Sequence, residues 1–560
     1  NVGFSHQPIY QYTRLPTETS FRLLELLPGS DETPISYRLQ IKDWKNAPSY
    51  EAVSYAWCDV SKRTPSICDG CLLMISVGLK DALTEMRYRD HTRLLWVDAV
   101  CIDQKNIEER GIQVSNMRSI YMGAKGVLVW LGKDVDKQGE HAIAAMNEIA
   151  SECLHRTTGN KSIDASMLKS KDELWDLLPE QMLWPGSSRG HSLAAYGSSK
   201  RSIPTERCKY YVEAVEYDFP KSQYANAYYM RRRYWHEKVS LASLLNWGRS
   251  FNTSDPLDRV YALMGMPSFA RIEYPKPADY SRSKVELYTD ITAWCIRKTN
   301  SLRVLYYNQH LEEVDGFPSW VPQWDRKTRY EPIEDSLTKL RWKSSNDTEL
   351  HVDIDIGSRV IRLTGIEFDV IESQRRLEGN IQLHPQVSPG HPVLEFWEKQ
   401  KSNPTPYPTE DSSLDALSFV LTAGLDQDQR KASKNSTSFK ADFTAYLDRL
   451  SEVAENGTQL CEDKGAEERG DWFNYETLIR NKCYNRTLFS TRKGYLGLGP
   501  DCHKGDLVCL MFGGEVPFVL RPKNGYYQLV GDAYVHGIMD GEAMRLYNPL
   551  DKNKRQFEIH

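Results

Sequence analysis

Polar and aromatic side chains cluster just beyond the ends of three short apolar segments near the start of the chain. These segments cover residues 51–57, 94–102 and 127–131, and they lead into Trp57-Cys58-Asp59, Asp103-Gln104 and Gly132. If the segments are parallel strands of one open sheet, their carboxyl ends meet at a single edge, where α/β sheets bind ligands. The cluster is therefore a candidate ligand site, and loop hydrogen bonding is the alternative role for its polar members.

Glu109 is the candidate catalytic residue of this block. It follows the end of the second segment and lies in the first turn of a predicted helix. A carboxylate in that position can stabilise positive charge that develops during a reaction. The alternative is structural, because Asn106-x-x-Glu109 is close to a capping box and an acidic group suits a helix N-terminus.

The same block contains further residues that could contact a ligand. Tyr55 and Trp57 could stack on a flat ring, although aromatic residues on a strand more often belong to the core. Arg110 could pair with a phosphate or with a carboxylate of the protein. Asp98 lies inside an apolar segment, where an isolated carboxylate is costly, so we expect a partner such as Arg110 or Arg118.

Hydrophobic periodicity predicts the elements that position these residues. Residues 21–27 and 51–57 are predicted strands, and residues 68–77 are a predicted hairpin around Asp69-Gly70. The nearly continuous apolar segments 94–102 and 127–131 are typical of strands covered on both sides. Two helical stripes lie between the strands: Leu79, Ala82, Leu83 and Met86 in the first, and Arg110, Val114, Met117 and Tyr121 in the second. This alternation predicts an α/β domain with a mainly parallel sheet and helices on both faces.

The rest of the chain divides into helical and β-rich regions, so we expect an α+β protein overall. Residues 140–345 are mainly helical in pattern, with helix starts at Asp255-Pro256 and at the capping box Ser283-x-x-Glu286. Residues 402–470 are polar and are predicted to be a flexible insertion. The predicted divisions are a strand-containing lead-in at 1–45, the α/β domain at 46–200, a mainly helical region at 201–345, a mixed region at 346–480 and a small antiparallel β-rich unit at 481–560.

Composition excludes several classes of function. The chain has 560 residues, of which 40% are hydrophobic, with a net charge of −5, so neither a general nucleic-acid binder nor a disordered protein is expected. No apolar run is long enough to span a membrane. The odd number of cysteines, 11, suits free thiols in the cytoplasm. No motif for a metal, a Walker loop or a dinucleotide fold is present, so no cofactor is required.

The first block resembles the fungal heterokaryon-incompatibility (HET) domain. The likeness begins with YEAVSYAW at residues 50–57, peaks in LWVDAVCIDQ at residues 95–104 and closes with VLVWLG at residues 127–132. Later segments resemble the long fungal proteins that carry this domain, among them DPLDRVYAL at 255–263 and PSWVP at 318–322. Two positions depart from the family pattern, since Cys58 replaces the usual Gly and Asp103 replaces the usual Asn.

The resemblance implies self/non-self recognition and cell-death signalling after fusion of unlike fungal cells. HET domains are also considered remote relatives of Toll-type (TIR) domains, some of which cleave NAD with a Glu near the start of a helix. That relation implies NAD as a substrate and Glu109 as the residue that stabilises an oxocarbenium-like state.

Other TIR domains act only as self-associating scaffolds. They imply a second hypothesis, a non-enzymatic recruitment module with a protein partner or self-association. A third hypothesis is a family relative repurposed for other small-molecule chemistry. A packed and capped Glu109 without a cleft would favour the recruitment module over NAD cleavage.

Overall fold

A computed structural model describes residues 7–30, 32–55, 61–130, 132–133, 240–249, 251, 253–264, 274–309, 316–333, 342–377, 391–401, 406–426, 430–434, 436–456, 470–545 and 554–560. Trp57, Cys58 and Asp59 lie outside the described residues, and so do the helices predicted between residues 140 and 239. The chain divides into two compact units. Unit 1 is Asn1–Lys238 with Ser250–Arg282, and unit 2 is Val239–Arg249 with Ser283–His560.

Unit 1 is built on a sheet whose described strands number seven, in the order β5-β4-β2-β1-β6-β3-β7. The strands are β1 Ser20–Leu26, β2 Ser36–Asp43, β3 Glu51–Tyr55, β4 Arg63–Cys68, β5 Cys71–Ser76, β6 Arg93–Val97 and β7 Gly126–Trp130. The neighbours β6, β3 and β7 run parallel, as do β2 and β4. The pairs β1–β2, β1–β6 and β4–β5 are antiparallel.

The sheet of unit 1 is therefore mixed, and the expectation of a mainly parallel sheet is wrong. The parallel pairs are those among β6, β3 and β7, which carry the first-block motifs, and the separate pair β2–β4. The other pairs arise because β4 and β5 form the predicted hairpin, and because β1 inserts between β2 and β6. In that hairpin Asp69 and Gly70 both have positive φ, 48° and 77°, as a two-residue turn of this kind requires.

The helices of unit 1 confirm one predicted stripe and correct the other. Those among the described residues are α1 Val77–Met86, α2 Asp98–Cys101, α3 Ile107–Gly123 and the short helix Asp258–Met264. Helix α1 buries Leu79, Ala82, Leu83 and Met86, as predicted. Helix α3 instead buries Glu109, Gly111, Gln113 and Ile120, while the predicted stripe of Arg110, Val114, Met117 and Tyr121 is only half buried. The deepest face of α3 is thus partly polar, so hydrophobic periodicity located the helix but not its innermost side.

The second half of the predicted strand 94–102 is also wrong. Strand β6 ends at Val97, and Asp98 begins the short helix α2. A short apolar run fits a buried strand and a buried helical turn equally well, so periodicity alone could not separate them. Asp103 and Gln104 consequently follow a helical turn and do not stand directly at a strand end.

Unit 2 contains a β-barrel closed by one long strand. Strand β8 is Val352–Asp355 and β9 is Val360–Arg376, and β10–β16 are Thr487–Thr491, Leu496–Gly499, Leu507–Met511, Phe518–Pro522, Tyr527–Asp532, Tyr534–Val535 and Lys554–Ile559. Strand β9 pairs with both β12 and β16, and β13 and β14 complete the ring. All of these pairs are antiparallel except β14–β16. The predicted antiparallel strands after residue 488 are therefore present, and the upstream strand β9 joins them in one sheet.

Helices flank this barrel in the sequence of unit 2. Their bounds are Leu241–Gly248, Lys284–Thr299, Pro392–Lys401, Ser413–Leu421, Thr437–Asn456, Trp472–Lys482 and Glu542–Arg545. The capping box at Ser283 and Glu286 is confirmed. The flexible insertion predicted for residues 402–470 is wrong for its described part. Phe439, Phe443, Tyr446 and Leu450 are buried along one face of Thr437–Asn456 at ordinary helical spacing, and the polar composition of the segment outweighed this stripe in the prediction.

Within unit 1, the segment that contains Ala278 packs tightly on α3. Gly111 lies so close to it that a Cβ built there would stand 2.4 Å from the carbonyl oxygen of Ala278. The hydroxyl of Ser115 accepts a hydrogen bond from the Ala278 N–H at 3.3 Å. The absence of a side chain at Gly111 is what allows this approach.

We expect Gly111→Ala to lower the free energy of unfolding by about 1–3 kcal/mol, because the methyl group overpacks a backbone contact. Gly78→Ala is the matched control, since it adds a methyl group in α1 with nothing within 4 Å. The control should be neutral or stabilising by up to about 1 kcal/mol. Thermal unfolding of both full-length variants checks this, and equal shifts in the two would contradict the contact.

Candidate functional site

The expected site begins where the parallel strands β6, β3 and β7 end together. Tyr55 is the last residue of β3, and Asp98 follows the last residue of β6. Burial raises the pKa of Tyr55, and the nearby negative charge of Asp98 raises it further. Burial and Asp98 also raise the pKa of Tyr121. The structure thus brings Asp98 beside Tyr55 and Tyr121 at this edge of the sheet. Of these three residues, only Tyr55 was predicted to contact a ligand.

Gln104 and Asp103 form the loop between α2 and α3. The Gln104 side chain donates to the Asp98 carbonyl oxygen at 2.9 Å. The Asp103 carboxylate accepts the Lys105 N–H at 3.1 Å, which is a local turn interaction. Both side chains are half buried and engaged within their own loop. Their role as ligand contacts stays a prediction, while the geometry favours the alternative of loop hydrogen bonding.

Glu109 makes a buried ion pair with Arg22 of β1. Guanidinium nitrogen Nη1 lies 2.5 Å from Glu109 Oε1, and Nη2 lies 3.0 Å from Oε2. The Arg22 and Glu109 side chains are 1% and 7% exposed. Two parallel hydrogen bonds of this kind fix orientation as well as charge. Both carboxylate oxygens of the candidate catalytic residue are therefore occupied by one arginine.

The remaining hydrogen bonds of Glu109 are equally structural. The Asp103 N–H donates to Oε1 at 2.8 Å, and the Glu109 N–H donates to Asn106 Oδ1 at 3.1 Å. Asn106 is thus the N-cap that the spacing predicted, whereas the Glu109 carboxylate reaches Asp103 in place of the Asn106 backbone. Helix capping and ion pairing together account for every described contact of this carboxylate.

Arg22 was not among the residues singled out from the sequence. It also donates to the carbonyl oxygens of Cys101 at 3.1 Å and of Thr13 at 2.6 Å. The Tyr12 ring stands 4.9 Å from the centre of the guanidinium. An arginine in a mostly apolar strand was the available signal, because a buried charge demands a partner.

Arg110 is engaged on another side of α3. It forms an ion pair with Asp255 at 2.5 Å, and its guanidinium lies 3.4 Å from the centre of the Tyr280 ring. The Tyr280 hydroxyl in turn donates to Asp258 at 2.5 Å. The expected pair between Asp98 and Arg110 is wrong, because Asp255 holds this guanidinium. Phosphate binding by Arg110 stays a prediction, and it would require displacement of that carboxylate.

The histidines and cysteines do not assemble a metal centre within the described residues. Cys68 and Cys71 face each other across the hairpin turn as free thiols. His536 lies against Asp411 with 2.9 Å between Nε2 and Oδ2, and it stacks on Phe419 at 5.1 Å. Burial lowers the pKa of His536. Packing on these sides favours a structural role for His536.

None of the described helices combines the length and apolar character that a bilayer crossing needs.

Comparisons with known proteins match both halves of the chain. The family described as heterokaryon incompatibility protein (HET) matches residues 50–187, and the family described as Het-6 beta-barrel domain matches residues 422–554. The HET match covers the first block, as the resemblance of that block predicted. It is similar to heterokaryon incompatibility protein 6, OR allele, of Neurospora crassa, at 24% identity over 94% of each chain. No solved structure matches.

Each family match leaves out a strand that completes its sheet. Strand β1 lies between β2 and β6 and carries Arg22, although the HET match begins only at residue 50. Strand β9 closes the barrel, although the barrel match begins only at residue 422. The ion pair of Glu109 therefore joins a residue inside the HET match to one outside it.

We expect Glu109→Ala to lower the free energy of unfolding by roughly 3–5 kcal/mol, because it leaves the Arg22 charge buried without a partner. The charge-free double variant Arg22→Met/Glu109→Leu should recover most of this loss, since apolar groups can replace a buried pair. Arg110→Met is the control, because its pair with Asp255 is about a quarter exposed on each side, 26% and 30%. A cost of about 1 kcal/mol is expected for that control.

The measurement is thermal or urea unfolding of the full chain in a double-mutant cycle made of Arg22→Met, Glu109→Leu and the double variant. Additive effects of the two single substitutions would contradict a coupled ion pair.

Proposed function

We propose that this chain is a cytoplasmic factor of heterokaryon incompatibility that signals cell death through protein contacts and without NAD cleavage. Two findings support a role in incompatibility: the HET match and the similarity along most of the chain to an incompatibility protein of Neurospora crassa. The mode of action rests on the state of Glu109. The TIR-like relation remains part of the hypothesis and supplies only the comparison with scaffold domains.

The single observation that carries the proposal is the double engagement of the Glu109 carboxylate by Arg22. A carboxylate that stabilises an oxocarbenium-like state or holds ribose hydroxyls needs an oxygen that faces the substrate. Here Oε1 accepts from Arg22 and from the Asp103 N–H, while Oε2 accepts from Arg22. To act on a substrate, Glu109 would have to give up a buried charge partner, at a cost of several kcal/mol.

A recruitment module requires a fixed surface more than an open carboxylate, and the ion pair fixes the position of the groups that it joins. It ties β1, the loop after α2 and the start of α3 into one rigid element. We propose that unit 1, which contains the HET match and is called the HET unit below, acts through a protein partner or through self-association, with α3 held in a fixed position.

Purified full-length chain should release no nicotinamide from NAD, even at high protein concentration or after artificial clustering. Chromatographic detection of nicotinamide is the measurement, and Glu109→Gln is the matched variant because its carboxamide oxygen can still accept hydrogen bonds. Turnover by the wild type that disappears in a folded Glu109→Gln protein would establish NAD cleavage and overturn the non-enzymatic proposal.

In the organism that encodes the chain, deletion of its gene should restore growth of heterokaryons formed with an incompatible strain. Re-expression of the charge-free variant Arg22→Met/Glu109→Leu should restore incompatibility, because the proposal needs the packing of Glu109 and not its chemistry. Vegetative growth of the forced heterokaryon is the readout, with unfolding temperature and protein level matched to the wild type. A folded charge-free variant that is inactive would argue for a chemical role of this pair.

A further inference from the structure

Three arginines are buried among the described residues, and two of them have a carboxylate partner. Arg22 is paired with Glu109, and Arg486 lies 3.1 Å from Asp532 Oδ1. Arg486 also donates to the Asp532 carbonyl oxygen at 3.2 Å and to the Glu331 carbonyl oxygen at 2.5 Å. This arrangement is the expected one, because a buried charge is stable only when it is paired and hydrogen-bonded.

Arg249 of unit 2 is the exception. It is 3% exposed, and no carboxylate of the described residues stands within ion-pair distance of it. The hydrogen bond of its guanidinium to described residues runs from Nη2 to the Tyr307 carbonyl oxygen at 2.9 Å. The Nε atom is buried without a partner. The carboxylate that acts on it most closely, Asp325, is paired with Lys284 at 2.7 Å.

Trp324 stands against this guanidinium and has an open donor of its own. The centre of its ring lies 4.7 Å from the Arg249 guanidinium carbon. Trp324 is 0% exposed, and its indole Nε1 has no hydrogen-bond partner. A cation–π contact offsets part of the cost of burying Arg249, but it supplies no acceptor for either N–H group. Among the described residues, the Arg249 Nε–H and the Trp324 Nε1–H are therefore two buried donors without an acceptor, and they lie beside one positive charge that has no carboxylate partner.

We propose that Arg249 and Trp324 form a binding site in unit 2 for the oxyanion of a small molecule, a carboxylate or a phosphate group. A guanidinium can bind either group through two parallel hydrogen bonds, and the indole N–H can donate to an oxygen of the same group. The Tyr307 ring, tilted at 51° to Trp324 with 6.1 Å between ring centres, provides an aromatic wall. The site is independent of the proposed function of the HET unit, since no residue of unit 1 takes part.

Burial lowers the pKa of Arg249 to about 10, so the guanidinium remains protonated at neutral pH. The opposing explanation is a structural cation held only by the Trp324 ring and the Tyr307 carbonyl oxygen. The two explanations differ in what the removal of the charge does to stability. An uncompensated charge is a liability in the anion-free protein, whereas a structural cation is not.

The test is thermal unfolding of the full chain in inorganic phosphate, in acetate and in chloride at matched ionic strength. Arg249→Met removes the proposed anion partner, and Arg38→Met is the matched control because it removes an arginine that is 62% exposed. Phosphate or acetate should raise the unfolding temperature of the wild type and of Arg38→Met by about 2–4 °C, as expected for a ligand that binds only the folded state. Arg249→Met should show no such rise, and in chloride it should unfold no lower than the wild type.

A response to phosphate alone assigns a phosphate ligand, and a response to acetate alone assigns a carboxylate. Trp324→Phe keeps the ring and removes the N–H, so it should shift the anion midpoint to several-fold higher concentration. The proposal is overturned if neither anion stabilises the wild type, or if all variants respond equally, which would mean an adventitious ion only. It is also overturned if Arg249→Met lowers the unfolding temperature in chloride, because the arginine is then a structural cation.

Discussion

The buried pair of Arg22 and Glu109 is the interaction on which the architecture of the HET unit depends. Burying two charges is unfavourable unless their mutual geometry and their other hydrogen bonds offset the lost hydration. Here the arginine also reaches the carbonyl oxygens of Cys101 and Thr13, and the glutamate also accepts the Asp103 N–H. One pair thereby fixes the N-terminal segment, the central strand β1, the loop after α2 and the start of α3 relative to one another.

This constraint also decides how a carboxylate at the start of a helix can be interpreted. Position alone made Glu109 a candidate for catalysis, because a helix N-terminus after a strand end is a common place for reactive groups. The same position suits a capping residue, and Asn106 does cap α3. What separates the two roles is the environment of the two carboxylate oxygens, and a partner 87 residues away in the sequence determines that environment.

Local patterns predicted the local elements well. The stripe of α1, the Asp69-Gly70 turn and the capping box at Ser283 each depend on residues a few positions apart. The errors concern longer range. The apolar run after Arg93 could not reveal that β6 ends at Val97, and the sheet became mixed because β1, distant in sequence, inserts beside β6. The partner of Glu109 was missed for the same reason, since a contact between a strand and a helix 87 residues apart leaves no periodic trace in the sequence.

The three buried arginines differ in how their charge is compensated, and this difference bears on function as well as on the fold. In unit 1 the charge of Arg22 is paired with Glu109 of the same chain, so the HET unit offers no free charge at Glu109. In the barrel unit Asp532 likewise satisfies Arg486. Arg249 differs from these two arginines, because it contacts an aromatic ring and a carbonyl oxygen in place of a carboxylate of the described residues. Among the described residues no carboxylate pairs with Arg249, and an unmatched buried charge is unfavourable. A bound oxyanion, as proposed for this site, would supply the missing partner.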